Sequence, residues 1–151
     1  MNCQKIQIGV IDGHGGGMGR TIVERIKSEY PDSFVRALGT NSLATAAMLK
    51  SGADDGASGE NAVILNAGKM DILIGPIGVA IANGLLGEVS PAMASAIMES
   101  NAVKIFLPPH NKCGFHFASG KRESLPAYID EAMCILKEEM CALGFHTSEN
   151  Y

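Results

Sequence analysis

The chain has 151 residues, 46% of them hydrophobic and 19% charged, with a formal net charge of −4. That length holds one domain with a real core and is short for two, and no apolar run approaches the roughly 18 residues of a membrane span. Lys and Arg are scattered rather than gathered into the basic stripe that nucleic-acid affinity requires, and the opening "MNCQKIQIGVID" lacks the pattern of a signal peptide. The expectation is a single cytoplasmic domain over residues 1–151, with neither nucleic acid nor membrane as partner.

In chain order, "KIQIGVI" (5–11) reads as a buried strand and runs straight into "DGHGGGMGRT", which has five glycines between residues 13 and 19. Ile22, Val23 and Ile26 then recur at helical spacing until "YPDS" breaks the helix. "SFVRALGT" is a second strand ending at Gly39, and Asn41 or Ser42 can cap the helix "LATAAMLKSG", closed by Gly52. "ADDGASGEN" (53–61) has turn chemistry. "ENAVILNAGK" reads as a short helix capped at Gly59, and "MDILIGPI" as the third strand.

A loop or broken helix follows through "GVAIANGLLGEV". Ser90-Pro91 opens the helix "AMASAIMESN", with a capping hydroxyl ahead of a proline at the first helical position. "AVKIFLP" is the fourth strand, "GFHFASGK" an edge strand or hairpin arm, and "PAYIDEAMCILKEEMCALG" a closing amphipathic helix stopped by Gly144. The four cysteines (Cys3, Cys113, Cys134, Cys141) have no C-x-x-C spacing and read as free thiols. Cys134 and Cys141, seven apart, read as sharing one buried helix face.

Strands alternating with helices imply parallel pairing and a three-layer α/β/α sandwich of four or five strands. If the third strand lies beside the first, on the side away from the second, the order is 2-1-3-4. A crevice then opens above the first and third strands, where such sheets bind ligands. The loops 12–20, 39–44, 75–84 and 108–114 converge at that end.

The glycines suit a phosphate held at a helix N-terminus, where backbone N–H groups need close approach. The simpler reading, tight strand-to-helix packing, stands beside it. The spacing is not G-x-G-x-x-G, since Met18 stands at the third glycine's place. Gly13, Gly17 and Gly19 give G-x-x-x-G-x-G, which resembles the dinucleotide loop of short-chain dehydrogenases, with His14, Gly15 and Gly16 inside it. That group's Tyr-x-x-x-Lys pair is missing, because Tyr30, Tyr128 and Tyr151 have no lysine four residues on, so membership is rejected.

The second strand ends in "LGTNS" without an acid for a ribose. Thr40, Asn41 and Ser42, with Arg20, could instead meet a 2′-phosphate, which favours NADP over NAD, although Asn41 or Ser42 could equally be a plain helix cap. In "GPIGVAIANG", Pro76 would stiffen the strand exit, Gly75 and Gly78 would let backbone approach the ligand, and Asn83 would supply a polar contact. "HNKCGFH" (His110, Cys113, His116) has ligand-type residues but reads more simply as loop. Asp54, Asp55 and Glu60 lack the alternation of an EF-hand, so no metal is expected.

Taken together, "VIDGHGGGMG", "ALGTNSLATAAMLKSGA", "GENAVILNAGKMDILIGPIGV" and "PHNKC" resemble a family of small bacterial proteins, domain of unknown function 3842. The resemblance covers roughly residues 6–140 and implies a Rossmann-like fold with no assigned activity. Two functional readings follow: a dinucleotide-binding protein, as a small oxidoreductase completed by a partner subunit, or a non-catalytic sensor for a nucleotide or phosphorylated metabolite. The apolar surplus of "GVAIANGLLGEVSPAMASAIM" adds the expectation of a two-fold homodimer.

Overall fold

The computed structural model describes residues 5–109, 116–118 and 122–145. Its elements are β1 (Gln7–Asp12), α1 (Gly17–Glu29), β2 (Phe34–Gly39), α2 (Ser42–Lys50), β3 (Asp55–Ser58), α3 (Glu60–Ala67) and β4 (Ile72–Pro76). A 3-10 turn (Ile77–Ala80), α4 (Pro91–Glu99), β5 (Val103–Leu107) and α5 (Leu125–Ala142) complete them. The strands form one parallel sheet in the order β3-β2-β1-β4-β5.

Period-two alternation divides the strands' side chains between two cores. Ile8 and Val10 point to one face, with Ile22, Val23 and Ile26 of α1, Met48 of α2 and Leu136 of α5. Ile11, Leu38 and Leu73 point to the other, with Val63 of α3 and Met93 and Ile97 of α4. The molecule is thus the expected α/β/α sandwich. Among the described residues no helix is long and apolar enough to cross a membrane.

The expected order 2-1-3-4 corresponds to β2-β1-β4-β5 and is extended by one strand. Residues 53–61 are not merely a turn, because Asp55–Ser58 pair with Arg36–Gly39 as an edge strand. "DGAS" has no β-branched residue to announce this. The strand is held by its backbone ladder, by Arg36 gripping both Asp55 oxygens at 2.7 and 2.6 Å, and by Gly56 lying under Ala37 and Thr45. Two further expectations change. Cys134 and Cys141 do share a face, but it is the exposed one, since Ile129, Met133, Leu136 and Met140 take the core. Of "GFHFASGK", residues 116–118 form no strand and the rest lies outside the described residues.

Of the apolar residues of 78–98, Val79, Val89, Met93, Ala94 and Ile97 lie in the second core, while Leu86 and Met98 are exposed.

The central pair, β1 and β4, approaches so closely that a Cβ on Gly75 would stand 2.2 Å from the Ile11 carbonyl oxygen. Gly75→Ala must therefore push the two strands apart, at about 3 kcal/mol of stability. A Cβ on Gly17 would meet nothing within 4 Å, so Gly17→Ala is expected to stay within about 0.5 kcal/mol of wild type. Urea unfolding of both variants checks the contrast.

Candidate functional site

β1 ends in Asp12, 5% exposed, at the mouth of the crevice where the sheet order reverses. Its Oδ1 accepts the Gly13 N–H at 2.8 Å and its Oδ2 accepts the Gly19 N–H at 2.6 Å. One carboxylate thereby clamps both ends of the glycine loop. Burial pushes the Asp12 carboxyl above the usual aspartate range, against the opposing pull of these two N–H groups and of His14.

The glycines of the loop fall into two groups. Gly16 caps α1 at φ 72°, and a Cβ there would lie 2.7 Å from the Ala44 Cα. A Cβ on Gly19 would press on Met48 and Asp12, and one on Gly13 on Leu85 and Thr40. These three are glycine because the chain crowds them. Gly15 and Gly17 have nothing within 4 Å of a built Cβ, so no internal packing explains them.

The helix start itself is open. Gly16 offers no capping side chain, and Asp12 satisfies only the Gly19 N–H. Among the described residues the N–H groups of Gly17 and Met18 take no hydrogen bond. Such donors, together with the positive end of the helix dipole, form an anion-binding geometry.

Opposite stands the segment after β4. From Ile81 it folds into a turn closed by bonds from the Asn83 N–H to the Val89 carbonyl and from the Gly87 N–H to the Asn83 carbonyl. Asn83, Leu85 and Leu86 have left-handed φ values of 61°, 54° and 56°. The turn places Glu88 over the glycine loop. Glu88 Oε2 accepts from the His14 N–H at 2.9 Å and lies 3.1 Å from His14 Nε2. Its Oε1 accepts from Thr40 Oγ1 at 3.1 Å and from Asn41 Nδ2. Burial alone would raise the Glu88 pKa, but the bonds from Asn41, His14 and Thr40 outweigh it and hold the carboxyl below its usual range.

The expected residues divide accordingly. Gly13 to Gly19, Thr40 and Asn41 come together, and Asn41 also caps α2 through the Ala44 N–H while donating to the His14 carbonyl at 2.9 Å. Exposed Ser42 opens α2, and exposed Arg20 lines an open groove of about 470 Å³ between α1 and α2, with Leu43 and Lys50. Gly75 fits against Ile11, and Gly78 against Leu85. Pro76 is buried at the end of β4, and Asn83 is an exposed turn residue. Arg36 is engaged by Asp55 and Asn66.

Asp54 pairs with Lys27, and Glu60 accepts from Ser90. His116 is exposed, and His110 and Cys113 lie outside the described residues. Sequence reasoning missed two residues. Asp12 was signalled by its place between the strand and the first glycine. Glu88 had no local signal, being 74 residues from His14.

A parallel sheet with its order reversing beside β1, and a clamped glycine loop opening the first helix, define a Rossmann-like protein. The chain belongs to the family described as Domain of unknown function (DUF3842), whose model matches residues 7–141. Among solved structures it is similar to a dodecameric FMN-dependent UbiX-like decarboxylase from Escherichia coli O157:H7, at 13% identity and a TM-score of 0.49 over 96% of this chain and 97% of that one. No curated protein matches it.

The pH dependence of the Glu88 contact has a definite sign. A carboxyl whose folded pKa is depressed contributes stability above its ordinary value of 4.5 and loses it as pH falls through the lower folded value. Melting curves of wild type and Glu88→Gln should therefore show a gap in favour of wild type above about pH 5.5 that narrows below it. Glu88 also pushes the Asp12 carboxyl up, and this coupling opposes part of the gap.

Proposed function

We propose that the protein binds a phosphate-bearing adenine nucleotide, its phosphate resting on the backbone N–H groups of Gly17 and Met18 at the start of α1. The observation that carries this reading is the unexplained openness of Gly15 and Gly17 beside an uncapped helix terminus. A side chain at either position would obstruct an approaching phosphate without disturbing the fold. The role that fits best is binding or sensing. Asp12, His14 and Glu88, the titratable groups at the crevice, are tied to the chain's own groups rather than left facing a reaction centre.

Between NADP and NAD the preference reverses. The empty place for an acid after β2 is filled in space by Glu88, bonded to Thr40 and Asn41. A negative charge there repels a 2′-phosphate, and Arg36 is unavailable as a counter-charge. A small oxidoreductase using NAD is the second reading, supported by the reversal of strand order between β1's two neighbours.

Thermal shift and calorimetry with AMP, ADP, NAD and NADP test the proposal. Wild type should be stabilised by at least one of these at millimolar concentration, with NADP no better than NAD. Gly17→Ala should bind about tenfold more weakly at unchanged intrinsic stability, the equivalent of roughly 1.4 kcal/mol. Absence of any shift with all four removes the reading.

A further inference from the structure

We propose that residues 82–88 form a strap whose Glu88 carboxylate competes with the second anionic group of a diphosphate ligand for the donors beside the glycine loop, so that binding lifts the strap. The inference rests on the reading that the glycine loop binds an anion. Glu88 brings two acceptor oxygens to the His14 N–H, the Thr40 hydroxyl and the Asn41 amide. A diphosphate with one group on the Gly17 and Met18 N–H groups would turn its other group toward the donors that Glu88 holds, and two anions cannot share them.

The strap is built to move as one piece. Its bonds from Gly87 to Asn83 and Gly84 and from Glu88 to Leu85 are internal to it, while Ile81 and Val89, the latter buried in the second core, form its base. Its ties to the glycine loop are few: the Glu88 carboxylate, the Leu85 carbonyl 3.1 Å from His14 Nε2, and the Leu85 side chain over Gly13. It also carries strain. Leu85 and Leu86 are consecutive non-glycine residues in the left-handed region, and Leu86 is 98% exposed, so no burial offsets its conformation.

Two variants push the equilibrium in opposite directions without touching the backbone donors of α1. Glu88→Gln removes the competing charge and should tighten binding of pyrophosphate and ADP about tenfold or more. Leu86→Gly relieves the left-handed strain, favours the seated strap, and should weaken binding of both probes by about two- to fivefold. Amide NMR signals of Leu86 and Gly87, at the strap's outer tip, should move when pyrophosphate saturates the wild-type protein. Wild type binding pyrophosphate with those signals still, or Glu88→Gln binding no tighter than wild type, overturns the strap and leaves the nucleotide reading standing. If neither protein binds pyrophosphate or ADP, both readings fall.

Discussion

The grip of the buried Asp12 carboxylate on the Gly13 and Gly19 N–H groups is the contact on which the site depends. A carboxylate taken out of water is costly unless its oxygens find donors, and here the backbone of one loop supplies them. The loop in return is held in a single curve over the end of β1. That curve sets where α1 begins, and with it the direction in which the free N–H groups of Gly17 and Met18 point.

The fold surrounds this clamp with close approaches that only glycine permits. Gly75 lets β4 lie against Ile11, Gly16 lets the head of α1 touch α2, and Gly19 lets α1 settle on Asp12 and Met48. With both central strands so near, the order reversal between β2 and β4 opens directly above Asp12. The segment that leaves β4 then has little choice but to pass over the crevice, and its left-handed turn at Leu85 and Leu86 brings Glu88 down onto the loops after β1 and β2. Strain in that turn and charge at its end oppose each other.

The sequence by itself determined the parts whose physics is local. The alternation of strand and helix, the Asn41 and Ser90 caps, the stops at Gly52 and Gly144, and the crowding of glycine after β1 each depend on residues a few positions apart. The reversal of order beside β1 was also legible, because parallel crossovers leave few arrangements. Tertiary structure alone decided the rest. "DGAS" becomes a strand only because β2 offers it a ladder and Arg36 a partner. The seven-residue spacing of Cys134 and Cys141 fixes a shared face, yet which face meets the core is settled by Ile129, Met133 and Leu136. The five glycines look alike in sequence, and only their neighbours separate the three that packing requires from the two it does not. Above all, the acid missing after β2 arrives from Glu88, across 48 residues from Thr40. No local pattern encodes such a meeting, because it is made by the closure of the chain around the crevice.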